Sequence, residues 1–347
     1  MAACSGTEFS GFTEATPGCV VESGFTLDRL QRMIVRDRPT GFNLFLILRG
    51  SVLQRIRWVL CLNIVLAILV TYAHGNLFDI KITVTPIPFT LIGLPLAIFL
   101  GFRNTTAYNR YWEGRKLWGE LVIYARTLSR QCQSFIRVPL VMDYRNRVGD
   151  VRVRMVHRAI AHVHALRSQL RGHQDDGALE RWLTPEEWFA MRNHPLSFRA
   201  DALMLANAHD LGDCLRKGWI DSVLASQIDK TFTSMTAAAA SCERIRHTPI
   251  PFSYMLLLHR TAYMYCFLLP FGLVDTTGFM TPFVVGIVAY TFFGLDALGD
   301  ELEEPFGVES NDLPLDAFCR GIEISLTQSL GDPEPPQPLL PLDYRLT

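Results

Sequence analysis

The chain has little charge for its length. Asp, Glu, Lys and Arg make up 19% of its residues against 49% hydrophobic, and the two signs nearly cancel to a net charge of -1. Ordinary soluble domains carry about 25% charged residues, so this shortfall and the positive mean hydropathy point toward a membrane protein. No basic tract concentrates the arginines, which argues against a nucleic-acid partner. Paired cysteines are also lacking. Cys4, Cys19, Cys61, Cys132, Cys214, Cys242, Cys266 and Cys319 contain no C-x-x-C and no regular spacing, which excludes a disulfide framework and a zinc knuckle and suits a reducing cytosol. Residues 1–32 have neither the cationic start nor the apolar run of a secretory signal, and no periodicity. They are expected to be a disordered extension or no part of the native product, with Met33 opening the structured region. No G-x-S-x-G, H-E-x-x-H, P-loop or G-x-G-x-x-G occurs in context, so no enzyme is expected.

What is present is a small set of dense apolar blocks. The first covers residues 58–73 (WVLCLNIVLAILVTYA). At 1.5 Å rise it spans roughly 24 Å against a hydrocarbon core of about 30 Å, a deficit that snorkelling by Arg55 and Arg57 relieves. The second covers 88–103 and carries Pro95, Gly93 and Gly101. An internal proline frees a backbone carbonyl, which membranes tolerate where protein or a water-filled cavity re-satisfies it. That block should be protein-packed or cavity-lining, and it continues as an amphipathic cationic helix through residues 103–136. Two more blocks, 254–274 and 279–298, flank the turn-like Asp275, Thr276, Thr277 and Gly278 and read as a helical hairpin across the membrane. Three-to-four residue apolar spacing predicts water-facing helices over 151–170, 185–193, 197–216, 220–246 and 315–330. From Gly331 onward Pro333, Pro335, Pro336, Pro338 and Pro341 predict an extended arm over residues 331–347.

The expected fold is thus an all-α integral membrane protein with four short transmembrane helices and a large cytosolic helical portion over 104–250 and 299–330. Arg49, Arg55 and Arg57 precede the first span and Arg103, Arg110, Arg115 and Lys116 follow the second, whereas the loop between them offers Lys81. This imbalance predicts a multi-pass protein of the inner (plasma) membrane, surrounded by lipid bilayer, with both termini cytosolic.

Three separated stretches resemble the bestrophin family, particularly its bacterial branch: IFLGFRNTTAYNRYWEGRKLW at 98–118, CERIRHTPIPFSYMLLLHR at 242–260 and ELEEPFGVESNDLPLDAFC at 301–319. The resemblance runs from about Met33 to the C-terminus, with 33–330 as the channel domain. It implies a homo-oligomer, a pentamer around a central axis, with the second transmembrane helix of each subunit lining an apolar neck. The family's neck residues fall on Leu94, Ile98 and Phe102, and a second, cytosolic aperture falls on Val223. Passive conduction of monovalent ions is implied. Eukaryotic relatives look like calcium-opened anion channels and bacterial ones are thought to favour cations, so chloride or anion selectivity is the alternative. The calcium clasp of the eukaryotic branch corresponds here to Val308, Glu309, Ser310, Asn311 and Asp312. Only Glu309 and Asp312 are carboxylates, and calcium prefers six to eight oxygens, so tight calcium binding is not expected and no cofactor is implied.

Each of these residues also has a plainer reading. Leu94, Ile98 and Phe102 sit at helical spacing, which in an ordinary helix marks core packing. Pro86, Pro88 and Pro282 stand where proline starts a helix, and the free amides behind them could also hold an anion. His259 and Arg260 suit the cytosolic interface or the permeation path. His157, His162 and His164 are expected on a solvated helix face; their metal spacing is weak, and an alternative of another class, a membrane-bound enzyme or metal-binding transporter, would use this segment. Asp296, Asp300, Glu301, Glu303 and Glu304 read as a solvated acidic face, which repeated around an axis would concentrate cations.

Overall fold

The computed structural model describes residues 33–34, 50–73, 76–77, 80–81, 85–340 and 345–346. The expectations for residues 1–32 fall outside the described residues. Ten helices carry the described chain: α1 (Leu53–Tyr72), α2 (Ile87–Phe135), α3 (Val151–Arg171), α4 (Asp176–Glu180), α5 (Pro185–Met191), α6 (Leu196–Arg216), α7 (Ser222–His247), α8 (Phe252–Thr277), α9 (Thr281–Glu303) and α10 (Leu315–Ser329). The described strands are two-residue pieces. β1 (Met33–Ile34) pairs antiparallel with β4 (Arg345–Leu346), and β2 (Asn76–Leu77) with β3 (Ile80–Lys81).

Local chemistry sets most of the helix ends. Asp150 accepts the Arg152 amide at the start of α3, and Gly172, at φ 64°, closes that helix in the left-handed conformation glycine adopts freely. Thr184 and Glu187 form a reciprocal capping box ahead of α5, and Asp221 caps α7 through the Val223 amide. Pro88 and Pro282 occupy the first turns of α2 and α9, where a missing N–H costs nothing. Residues 331–340 adopt no helix or strand.

Among the described residues three stretches are long and apolar enough to cross a membrane, Leu53–Tyr72, Ile87–Phe135 and Phe252–Glu303, where four were expected. The third stretch takes in both of the last two expected blocks, because only the 3-10 turn Gly278–Met280 separates α8 from α9. Contacts between these two helices run in opposite chain directions: Tyr265 meets Phe292 at 5.2 Å, Tyr263 meets Phe293 at 4.7 Å and His259 meets Asp296 at 2.6 Å. The chain therefore doubles back at Gly278.

α2 is the longest of the described helices. Its 49 residues extend roughly 73 Å at 1.5 Å per residue, far more than the bilayer core of about 30 Å. The N-terminal part of α2 packs on α8 at two glycines. A Cβ on Gly93 would stand 2.7 Å from the Tyr265 hydroxyl, and one on Gly272 would collide with the Phe89 ring. Phe89 and Tyr265 in turn meet edge to face at 6.0 Å. Small residues thus set the approach of two helices that gain little from the hydrophobic effect inside lipid. The apolar clusters in this region are correspondingly small, such as Ala67, Phe89, Leu269 and Val285. One large core instead joins the C-terminal part of α2 to α3, α6, α7 and α10, with α3 at its centre.

A candidate pore helix and the charged collar beneath it

α2 has two unlike faces where it would enter the membrane. Leu96 and Leu100 are buried against Leu258 and Ala262 of α8. On the other side Leu94, Ile98 and Phe102 are 69%, 47% and 61% exposed in the single subunit, and Ile87 and Leu91 extend the same apolar stripe. The structure therefore brings the three expected neck residues onto one open face. Beyond Phe102 this face turns polar, with Thr105, Thr106 and Asn109 exposed. Val223 sits on the first turn of α7 and is also exposed, at 67%.

One residue past Phe102 the chain places Arg103, which is almost fully buried. Its guanidinium pairs with Asp296 at 2.6 Å, with Asp300, and with Glu303 at 4.0 Å. The second oxygen of Asp296 meets His259 Nδ1 at 2.6 Å. Arg55 of α1 reaches Asp300 and Glu301 at 3.9 Å each and Glu309 at 3.1 Å. The expectation of a solvated acidic face holds for Glu304, which is exposed, and is corrected for the rest: Asp296 and Glu303 are buried and Asp300 and Glu301 are ion-paired, because a buried charge on α2 requires counter-charges on α9. Arg110 works one level further down. It donates to the carbonyls of Ile245 and Thr248 at the end of α7 and to that of Glu303, tying three helices together at orphan carbonyls. Sequence reasoning counted these arginines only as topology signals and missed their partners. His259, read as an interface residue or part of the permeation path, also joins this collar through Asp296.

The loop after α9 carries Glu309 and Asp312. Asp312 is buried and accepts the Glu309 amide at 2.6 Å, while the Glu309 carboxylate is held by Arg55. Burial, only partly offset by that amide, and the charges of Glu309 and Glu304 push the Asp312 carboxyl up to about 7. Asp312 is thus engaged inside the protein and the exposed Glu309 is tied to Arg55, and two carboxylates fall short of the six to eight oxygens of a tightly held calcium ion. Among the described residues no group of three or more His, Cys, Asp or Glu side chains is arranged to hold a metal.

The histidines of α3 also differ from expectation. His157, His162 and His164 are all buried rather than solvated, because α3 is enclosed by its neighbours along nearly its whole length. They do not converge. His162 Nδ1 lies 2.9 Å from the Ala200 carbonyl, His164 Nε2 lies 2.6 Å from Glu323, and His157 packs edge-on against Trp182. Burial lowers the His162 imidazole from its ordinary value and lowers that of His157 to about 4.

Fold and site together define a helical membrane protein whose second apolar helix presents an exposed apolar stripe above a buried ionic collar. Residues 33–328 match the family model described as "Bacterial/Fungal Bestrophin protein", and the chain belongs to that family. It is 41% identical, over 90% of its length and 96% of the relative's, to a voltage-dependent anion channel-forming protein of Mesorhizobium japonicum. It is 38% identical, over 91% of its length and all of the relative's, to the voltage-dependent anion channel-forming protein YneE of Escherichia coli. Among solved structures it resembles a bacterial bestrophin homolog from Klebsiella pneumoniae with a TM-score of 0.73 and 35% identity, covering 80% of this chain and 98% of that one.

Proposed function

We propose that the chain is one subunit of a homo-oligomeric bestrophin channel, a pentamer in the inner membrane, that passes monovalent anions passively along its symmetry axis. Each subunit crosses the bilayer four times, with α8 and α9 as a hairpin and both termini in the cytosol. Leu94, Ile98 and Phe102 form the apolar neck and Val223 a second constriction in the cytosolic vestibule. The observation that carries this reading is the exposed apolar stripe of α2 opposite a packed face: it gives a ring of copies an apolar constriction that gates by dewetting. The names of the relatives favour anions. The cation reading loses part of its support because Arg103 and Arg55 are ion-paired with Asp296, Asp300, Glu301 and Glu303, four of the carboxylates that would have concentrated cations.

Planar-bilayer recording of the purified protein under a potassium chloride gradient tests it. A reversal potential displaced toward the chloride equilibrium value is expected. Displacement toward the potassium value would overturn anion selectivity, and absence of conductance would overturn the channel reading.

A further inference from the structure

Many arginines of the cytosolic portion are ion-paired. Arg152 pairs with Asp150, Arg154 with Asp210, Arg158 with Glu187 and Asp210, Arg167 and Arg171 with Asp316, and Arg199 with Asp176. Others have no such pair, and three of these lie together. Arg145, Arg147 and Arg181 have no carboxylate within ion-pair distance among the described residues, and all three line one cavity of about 270 Å³. Sequence places them far apart: two lie in the loop before α3, the third between α4 and α5.

The walls of that cavity complement the arginines. Arg145 lies over the Tyr144 ring and donates to its hydroxyl, and Arg181 lies over Trp182. Arg147 spends one N–H on the Arg181 carbonyl, which fixes two of the guanidinium-bearing segments relative to each other. His157 also lines the cavity; it is 8% exposed and its Nδ1 has no hydrogen-bond partner. Burial and then the charge of Arg147 keep its imidazole neutral near pH 7, so it supplies hydrogen bonding without adding charge. Asp332, just after α10, is the single carboxylate of the lining.

We propose that this cavity binds a small phosphate-bearing anion, inorganic phosphate or the phosphate group of a soluble phosphomonoester. Three guanidinium groups against one carboxylate leave a formal surplus that matches a dianion. Guanidinium forks match the oxygens of phosphate in geometry as well as charge. The volume lies at the small end for ligand sites, which run from about 300 Å³ upward, and so suits a compact anion. Binding would join the loop before α3, the α4–α5 link and the segment after α10.

Calorimetric titration of the full-length protein in detergent with inorganic phosphate, and separately with glycerol phosphate, at matched ionic strength tests the proposal. Saturable binding of either is expected. Replacing both Arg145→Gln and Arg181→Gln should weaken it by about tenfold or more. Asp332→Asn should tighten it, a gain that a merely damaged fold cannot give. Absence of saturable heat with both probes would overturn the site. So would equal loss in Arg192→Gln, whose exposed guanidinium lies over Phe189 away from the cavity, because binding would then be diffuse. Succinate binding as tightly as phosphate would overturn the assignment to phosphate.

Discussion

Ile98 and Leu100 are two residues apart on the same helix and should respond to truncation in opposite ways. Leu100 is fully buried against α8, whereas Ile98 is 47% exposed in the subunit. Leu to Ala in a packed site costs about 2–5 kcal/mol, the transfer of the lost carbons plus the cavity they leave. A fully buried aliphatic side chain is worth about 1.5–3 kcal/mol, so the half-covered Ile98 has roughly 1 kcal/mol of packing to lose. If Ile98 faces the pore, its truncation also lowers the dewetting barrier in every copy of the ring at once. Ile98→Ala should therefore raise conductance or open probability in bilayer recordings while thermal unfolding of the purified oligomer changes little. Leu100→Ala should markedly lower the unfolding temperature and leave the unit conductance of surviving channels unchanged. The reasoning is refuted if Ile98→Ala destabilises as much as Leu100→Ala with unaltered currents, which makes Ile98 a packing residue. It is equally refuted if Ile98→Ala changes neither quantity, which makes the stripe lipid-facing.

Arg103→Met removes the counter-charge of buried Asp296 and should cost about 3–5 kcal/mol, read as a large fall in unfolding temperature; adding Asp296→Asn should recover part of it by removing the stranded charge. Currents in a calcium chelator and in micromolar calcium should match, and a steep rise with calcium would implicate Glu309 and Asp312 after all. The Asp312 carboxyl is raised from 3.8 to about 7, so the stability it contributes is full below pH 3.8 and is lost as pH rises through about 7. Hydrogen exchange in residues 304–314 should accordingly be faster at pH 8 than at pH 5.5 after correction for intrinsic rates, and Asp312→Asn should flatten that difference. A chain begun at Met33, where the family match also begins, should elute as the same oligomer in size-exclusion chromatography; dissociation would show that residues 1–32 are structural.

The helices between α2 and α8 were legible because their signals are local. Residues 151–170 were expected for α3 and Val151–Arg171 observed, and 197–216 for α6 and Leu196–Arg216 observed. Apolar spacing and end residues such as Asp150, Gly172 and Pro185 lie within a few positions of the boundaries they set. The five-residue α4 escaped notice because one turn offers too little periodicity to detect. Polar burial was illegible for the opposite reason. His164 meets Glu323 across 159 positions of sequence and Arg103 meets Asp296 across 193. A hydropathy pattern scores these residues as solvent-seeking, and only the folded chain brings the partner that permits burial. The neck residues came from resemblance, since periodicity puts Leu94, Ile98 and Phe102 on one face without saying whether protein, lipid or water covers it.

That same distinction explains why counting arginines could suggest an orientation while misjudging the collar. The positive-inside rule weighs Lys and Arg near the ends of spans and gives little weight to Asp and Glu. Arg103 counts fully toward that bias, yet in the folded chain it is enclosed by Asp296, Asp300 and Glu303. Arg55 is likewise spent on Asp300, Glu301 and Glu309. A local excess of arginine is therefore no measure of the potential along the open face of α2. If that face lines the proposed pore, the side chains nearest a passing ion are those left exposed on α2 beyond Phe102. Thr105, Thr106 and Asn109 are neutral there, so the first turns beneath the neck carry hydrogen-bonding groups rather than fixed charge. In the proposed channel, discrimination by sign would then arise from desolvation in the neck or from charges further along the path, and substitutions that recharge Thr105 or Asn109 should move the reversal potential.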